Sequence, residues 1–165
     1  TSQYRENPMP YIKNKFLQLG TQRKRYLASI KTDVARKVIE RIKDKKYICF
    51  TGSVPQAKEL GGKNTVYSSN KNNDKTVKDF NEGLIKSIYA VNMLKEGVNL
   101  SNIEASLVIQ LSSKELDIVQ RTGRILRAKV QPEQYIIYFK DTQDEKYLEN
   151  VINLFDTEEL LVSEI

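Results

Sequence analysis

Tyr47-Ile48-Cys49-Phe50-Thr51 is a compact apolar run that is followed by small polar residues and then by a stretch with helical spacing. Aromatic and β-branched residues without polar alternation predict a strand that is buried on both faces. Four further runs of this kind follow along the chain, and each predicts a strand. They cover residues 65–68, 87–91, 107–111 and 135–139.

Amphipathic stretches alternate with these runs and predict helices. From Thr21 to Lys46, apolar residues recur at steps of three and four, and Thr32-Asp33 is expected to divide this stretch into two helices. Further helices are predicted over residues 54–60, 73–82, 113–126 and 143–155. The alternation predicts an α/β fold with a mainly parallel sheet and helices on both faces.

One edge of such a sheet is the expected place for a ligand. The carboxyl ends of parallel strands share an edge, and ligands of open α/β sheets bind in the crevice beyond it. The loops that follow Thr51, Ser68, Val91 and Leu111 are therefore predicted to line one functional edge. This prediction depends on the order of the elements alone.

The length of 165 residues corresponds to one domain. Residues 1–20 contain Pro8 and Pro10, which are expected to prevent a continuous helix there, and we interpret this segment as an N-terminal extension or an interdomain linker. The domain itself is predicted over residues 21–155, with a C-terminal tail over 156–165. Because the sequence begins Thr-Ser-Gln-Tyr without an initiator Met, we expect a piece of a longer protein.

The residue types that are missing exclude several kinds of chemistry. The chain has no His and a single Cys, which excludes Ser-His triads, His-based general-base catalysis and zinc sites built from His or Cys. No metal site is predicted from the residues of this chain. Cys49 is expected to be a small buried hydrophobe, and a lone cysteine favours a reducing, cytoplasmic location.

The charge balance points to a polyanionic partner. Lys and Arg number 27 against 21 Asp and Glu, so the net charge is +6 and the isoelectric point is near 9.3. Such an excess favours nucleic acid electrostatically. No apolar run approaches the length that a membrane span needs, so no membrane partner is expected.

The most informative motif is Gln120-Arg121-Thr122-Gly123-Arg124-Ile125-Leu126-Arg127. On a helix, Arg124 and Arg127 are three residues apart and Gln120 is four residues before Arg124, so the three side chains share one face. Two guanidinium groups beside an amide can bind phosphate oxygens and stabilise the charge on a transferred phosphoryl group. The structural alternative is a solvated basic helix.

This motif resembles motif VI of superfamily 2 helicases, and the resemblance covers roughly residues 26–155. It is nearest to phage-type and restriction-subunit-like DNA helicases. The resemblance implies a RecA-like three-layer α/β/α sandwich in which Arg124 and Arg127 act as arginine fingers on the γ-phosphate of ATP. It further implies that Gln120 lies near the same phosphates and that Arg121 holds the motif or bridges two domains.

The segment 91–100 resembles motif V of the same superfamily. The resemblance implies that Gly97 and Asn99 lie at the nucleotide and that Asn92 contacts the nucleic acid strand. Many members carry an acidic residue where Asn99 stands, but an amide can also hydrogen-bond a ribose hydroxyl.

Two further places resemble motifs that contact the strand. Residues 47–53 are similar to motif IV, in which Gly52 and Ser53 would offer a backbone N–H and a hydroxyl to a phosphate. Ser68 and Ser69 resemble the following small motif, where many members have His-Ser.

A phosphate-binding loop of the pattern G-x-x-x-x-G-K-S/T is missing from the sequence. The nearest string, residues 57–64, has Ala57 at the first glycine and Asn64 at the hydroxyl position, and it begins in a predicted helix. No Asp-Glu pair follows an apolar strand, since Asp144-Glu145 is predicted at a helix N-terminus. ATP and Mg²⁺ are therefore expected to be held mainly by an N-terminal RecA-like domain of the same protein.

The sequence predicts the second motor domain of an ATP-dependent nucleic acid helicase or translocase, inactive and monomeric by itself. Its predicted partners are its own N-terminal RecA-like domain and single- or double-stranded nucleic acid, with DNA favoured over RNA. The alternative is a non-enzymatic nucleic-acid-binding module with a helicase-like fold. A phosphate-binding loop and an Asp-Glu pair in a preceding domain would distinguish the motor from the module.

Overall fold

The computed structural model describes residues 10–91, 100–110 and 133–152. Within these ranges, helices and strands alternate after an initial pair of helices. The elements are α1 (Pro10–Ile30), α2 (Thr32–Ile42), β1 (Tyr47–Phe50), α3 (Val54–Gly61), β2 (Thr65–Tyr67), α4 (Asn73–Asn81), β3 (Ser87–Val91), β4 (Ala105–Val108), β5 (Glu133–Ile136) and α5 (Gln143–Ile152), with a 3₁₀ turn (Gly62–Asn64) between α3 and β2.

The strands form one parallel sheet in the order β2-β3-β1-β4-β5. The chain first winds from β1 outward to β2 and back to β3, and then crosses to the other side of β1 for β4 and β5. The direction of winding therefore reverses between β1 and β4. The predicted α/β fold with a parallel sheet and helices on both sides is confirmed.

Two apolar layers hold the helices on the sheet. One face of the sheet carries a cluster in which Phe80 of α4 is fully buried against β-strand residues such as Ile48 and Ile88. The other face packs against α2 and α3, where Ala35, Val38 and Ile42 share the buried side of α2 at helical spacing. The three-layer arrangement follows from these two clusters.

The first helix begins earlier than the prolines led us to expect. Pro10 is the first residue of α1, where a proline fits because the N–H groups of the first turn have no acceptor within the helix. The expectation that residues 1–20 contain no continuous helix is therefore wrong from Pro10 onward. The predicted break lies at Lys31, one residue before Thr32-Asp33.

The last two strands begin and end earlier than their apolar runs. The predicted ranges 107–111 and 135–139 correspond to Ala105–Val108 and Glu133–Ile136. Ala105 and Ser106 have little apolar surface, but their backbones pair with Tyr47 and Ile48 of the central strand. Pairing with neighbours therefore determines these strand ends, because a ladder stops where its partner strand stops.

Cys49 is fully buried in the central strand, as predicted for a small hydrophobe. Burial raises the pKa of its thiol because the charged thiolate is disfavoured away from water. The cysteine thus contributes to the packing of β1 and has no reactive thiolate at neutral pH.

Gly61 allows helix α3 to lie against strand β3. A Cβ atom added at Gly61 would lie 2.0 Å from a ring carbon of Tyr89. That ring is buried, packs edge-on against Tyr47 at a centroid distance of 6.0 Å and shares a 2.6 Å hydroxyl–hydroxyl hydrogen bond with it. The ring therefore has little freedom to move aside.

We expect Gly61→Ala to lower the free energy of unfolding by about 1–3 kcal/mol, as overpacking typically does. The matched control is Gly20→Ala, because Gly20 lies in α1 with no atom within 4 Å of the added Cβ. Alanine favours a helix, so the control should be neutral or stabilising by up to about 1 kcal/mol. Urea denaturation measures both changes, and equal effects of the two variants would contradict this account.

Candidate functional site

The loops after β1 and β4 meet at the carboxyl edge of the sheet, where the winding reverses. Gly52, two residues beyond β1, is buried so closely that an added Cβ would lie 2.7 Å from Gln110 Oε1 and 2.3 Å from Ala28 Cβ. Gln110 itself is the second residue after β4. Crevices at such reversal points are where open α/β sheets bind ligands, so this edge is the candidate site.

A buried glutamine organises the first loop of this edge. Gln56, in the first turn of α3, accepts a 2.9 Å hydrogen bond from the Gly52 N–H through Oε1. Its Nε2 donates to the Ala28 carbonyl oxygen at 2.6 Å and to Thr32 Oγ1 at 3.0 Å. One amide side chain therefore ties the loop after β1 to the junction of α1 and α2.

Ser53 begins α3 at the same edge. Its Oγ accepts a 3.3 Å hydrogen bond from the Gln56 N–H, which is the usual bond of a serine at a helix N-cap. The Gly52 N–H already donates to Gln56. Ser53 only accepts in its bond with Gln56, so its own O–H can still donate to a ligand. Of the two donors predicted here, the Ser53 hydroxyl is thus the one that these hydrogen bonds leave available.

Ser68 and Ser69 follow β2 and are both exposed. Asn73 stabilises this turn, because its side chain accepts a hydrogen bond from the Tyr67 N–H and donates one to the Tyr67 carbonyl oxygen. Two strand spacings separate β2 from β1, or about 10 Å. The two serines therefore lie on the same edge as Gly52 and Ser53 without touching them.

Lys31 is buried at this edge although it carries a charge. The lysine is 1% exposed and stands between α1 and α2. Its Nζ donates to the carbonyl oxygens of Ile109 and Ile137 at 3.0 and 2.8 Å, and to Asp144 Oδ2 at 2.5 Å. All three ammonium protons are thus used. Burial lowers the pKa of Lys31, and the bond to Asp144 opposes that change.

Asp144 lies in the first turn of α5, where the sequence predicted a helix N-terminus. Its Oδ2 also accepts from the Phe139 N–H at 3.3 Å. The carboxylate therefore joins the start of α5 to the chain that follows β5. Neither Asp144, Lys31 nor Gln56 was predicted as a site residue. The one sequence signal was that Lys31 interrupts the helical spacing of the preceding residues.

A cleft with a volume of about 120 Å³ opens beside this ion pair. Arg23 and Lys24 of α1 line it on one side and Gln143 and Tyr147 of α5 on the other, with Gln110 at the sheet. Neither basic residue was predicted as a site residue, but their position beside the carboxyl edge gives this part of the site a positive rim.

The structure confirms that the glycine-lysine string is no phosphate-binding loop. Ala57 is buried inside α3, Gly61 ends that helix, and Lys63 is exposed in the following turn. The order is helix, turn, strand, whereas a phosphate-binding loop joins a strand to a helix. In the described part of the chain, no three Asp, Glu, Cys or His side chains converge on a point.

None of the helices in the described ranges combines the length and the apolar character that crossing a membrane requires.

Several predicted site residues lie outside the described residues, and their roles stay predictions. These are Asn92, Gly97, Asn99, Gln120, Arg121, Arg124 and Arg127.

Residues 21–129 match the family model described as the helicase conserved C-terminal domain. The match covers more than half of the chain. This chain belongs to the helicase C-terminal domain family. A comparison of the helicase domain with curated proteins finds no significant match.

Solved structures that superpose on this domain include superfamily 2 helicase domains. The yeast DEAD-box splicing factor Prp28 superposes with a TM-score of 0.61 at 18% identity, over 74% of this helicase domain and 30% of that chain. The E. coli DEAD-box protein SrmB gives 0.60 at 14% identity, over 78% and 81%. The Pyrococcus furiosus Hef helicase domain gives 0.50 at 18% identity, over 75% and 28%.

The helicase domain therefore spans less than a third of Hef and Prp28. The superpositions establish the RecA-like fold, and with the family match they confirm the predicted C-terminal domain of a superfamily 2 helicase. The structural relatives also include the Sulfolobus solfataricus SWI2/SNF2 ATPase core domain, so they represent several branches of the superfamily.

Proposed function

We propose that this domain is the second motor domain of an ATP-dependent nucleic acid helicase or translocase. It would complete an ATP site whose phosphates and Mg²⁺ are held mainly by an N-terminal RecA-like domain. One observation carries this proposal. Residues 111–132, which contain the arginine motif, follow Gln110 in the sequence, and Gln110 lies beside Gly52 at the edge where α/β sheets bind ligands.

The residues of this edge suit a domain that completes a nucleotide site. Within the described ranges, the edge offers the Ser53 hydroxyl and the Gln110 amide. The buried Gln56 amide is already bound within the protein, and the Asp144 carboxylate is bound to Lys31. Mg²⁺ is usually bound through one or two carboxylates together with phosphate oxygens, and none of these side chains is a free carboxylate. This supports a metal held by the opposite domain. Bound ATP and Mg²⁺ would supply the γ-phosphoryl group and neutralise part of its charge.

The proposed contribution of this chain to hydrolysis is electrostatic. Arg124 and Arg127 would donate to the γ-phosphate oxygens, with Gln120 beside them, because guanidinium groups stabilise charge that develops during phosphoryl transfer. Arg121, Gly97 and Asn99 would contact the nucleotide or the domain boundary.

The nucleic acid strand would cross the loops at Gly52-Ser53, Ser68-Ser69 and Asn92. The exposed serines after β2 and the N-cap serine of α3 are suited to phosphate oxygens, and the net charge of +6 favours a polyanion. Contacts of this kind carry little sequence information. Closure of the two domains around ATP and release after hydrolysis would then move the motor along the strand.

The test compares this chain with the full-length protein that contains it. The full-length protein should hydrolyse ATP at a rate that nucleic acid stimulates, whereas the chain alone should bind ATP weakly and hydrolyse none above background. Measurements with single- and double-stranded DNA and RNA would identify the preferred strand. A full-length protein that binds nucleic acid without hydrolysing ATP would instead support the non-enzymatic module.

A control variant tests directly whether this chain contains a complete phosphate-binding site. Lys63 is exposed in the turn before β2 and should have no part in ATP hydrolysis. ATP hydrolysis by the isolated chain that disappears in Lys63→Ala would contradict the proposal, because it would place a complete phosphate site within this domain.

A further inference from the structure

Helix α1 carries an apolar face that no part of the described chain covers. Every residue from Asn14 to Tyr26 is exposed, and four large hydrophobic side chains on one side of the helix are each between 47% and 70% exposed. Most of the stability of a helix in a protein comes from packing of its apolar face, so we expect this face to be covered. The four residues are Phe16, Leu19, Tyr26 and Ile30.

The exposed face has the spacing of a coiled-coil seam. From Ile12 to Ile30, successive seam residues are four, three, four, three and four positions apart. Alternating steps of three and four keep side chains on the side of a helix that meets a partner helix. One seam residue, Arg23, is charged, and a single polar seam residue can fix the register of the partner. The α1 seam consists of Ile12, Phe16, Leu19, Arg23, Tyr26 and Ile30.

The charge of α1 favours an acidic partner. The helix contains five basic residues and no Asp or Glu. Among the residues that the structure describes, neither Arg23 nor Lys24 forms an ion pair. A second copy of α1 would bring two sets of like charges together, which is unfavourable. The seam therefore fits a helix that combines apolar residues with acidic ones.

Residues 153–165 of the same chain have this composition. They contain four acidic residues, six apolar residues and no basic residue. They follow α5, whose Tyr147 lines the same cleft as Arg23 and Leu27 of α1. Ile152 is five residues after Tyr147, or about 8 Å along a helix, so the segment is joined to the chain near the α1 seam.

We propose that residues 153–165 form an acidic helix that packs antiparallel on the α1 seam. Counted backwards from Ile165, the segment has apolar or acidic residues at steps of three, four and three, and α1 has the same steps counted forwards from Phe16. This register places Glu158 opposite Arg23. The other three pairs are Phe16 with Ile165, Leu19 with Val162 and Tyr26 with Phe155.

The two charged seam residues select the antiparallel orientation. In a parallel arrangement with matching steps, Glu158 would lie opposite Leu19, and Arg23 would lie opposite Val162. Each charge would then lose contact with water without gaining a partner, which is costly. The antiparallel arrangement joins the two charges in one ion pair.

The test measures disulfide formation in the full-length protein with Leu19→Cys and Val162→Cys. In a glutathione buffer, the ratio of disulfide to dithiol gives the effective concentration of one thiol at the other. Leu17→Cys with Val162→Cys is the matched control, because Leu17 is also exposed but lies about 200° around the helix from Leu19. We expect the ratio to be at least about tenfold higher for the seam pair. Cys49 is buried and does not compete.

A charge exchange tests the register in the same background. Arg23→Glu should lower the disulfide ratio of the seam pair by about two- to fivefold, the range expected for an exposed ion pair. Adding Glu158→Arg should restore the ratio, because the pair is then re-formed with its charges exchanged. A ratio that Arg23→Glu leaves unchanged would contradict this register.

Equal disulfide ratios for the seam pair and the control pair would overturn the proposal. Disulfides that join two copies of the protein would overturn it in favour of self-association. If the cysteine variants do not fold, carbodiimide coupling of amines to carboxylates decides the question in the unaltered protein. Mass spectrometry should find Lys24 joined to Glu158 or Glu159 of the same chain, and absence of both links would overturn the proposal. Lys75, exposed on α4, is the control and should form neither link.

Discussion

Arg127→Ala in the full-length protein is expected to lower the kcat for ATP hydrolysis by about 10³- to 10⁵-fold, the range over which an arginine finger contributes to phosphoryl transfer. The guanidinium would interact with charge that develops on the γ-phosphoryl oxygens in the transition state. Because that interaction is weaker in the ground state, kcat should fall far more than ATP affinity. Steady-state kinetics with saturating nucleic acid would measure both quantities.

Arg25→Ala is the matched control for this substitution. Arg25 is exposed on α1, so its removal changes the same charge without touching the proposed ATP site. It should leave kcat unchanged and weaken the binding of nucleic acid only slightly. Equal kcat values for Arg127→Ala and the unaltered protein would refute the arginine-finger role and favour a module that keeps the fold without the motor.

Lys31→Met should have the largest effect on stability of any single substitution considered. It removes the counter-ion of Asp144, whose side chain is 8% exposed, and leaves the carbonyl oxygens of Ile109 and Ile137 without their donor. Breaking a buried ion pair by removing one partner typically costs about 3–5 kcal/mol, because the remaining charge stays buried and unpaired. The free energy of unfolding from urea denaturation should fall by about that amount.

Lys43→Met supplies the comparison for a surface ion pair. Lys43 pairs with Glu40 on the exposed side of α2, and water screens that interaction. The midpoint of denaturation should therefore stay the same. A midpoint that shifts equally in Lys31→Met and Lys43→Met would mean that the buried pair is no more important to the fold than a solvated one.

Much of the fold could be predicted from local patterns. The apolar runs marked all five strands that the structure describes, and Ser87–Val91 was predicted with its observed bounds. Burial of Cys49 followed from its place in an apolar stretch. These features are predictable because the spacing of apolar residues directly reflects which side of a helix or strand is buried. The arginine motif likewise indicated the helicase family.

The strand ends could not be predicted in the same way. Glu133 begins β5 although it is charged and exposed, since its backbone pairs with Ala105 of the neighbouring strand. Hydrophobic patterning reports side-chain burial, whereas the ends of a ladder depend on the length of the partner strand. That information comes from residues distant in sequence.

By itself, the sequence determined the alternation of elements, the parallel sheet, the family and the edge at which a ligand is expected. The tertiary structure alone decided that Lys31 meets Asp144 across 113 positions and that Gln56 joins the Gly52 loop to the helix junction. A buried charge or amide is stable only when all its hydrogen bonds are met, and those partners come together only after the sheet and its helices have packed.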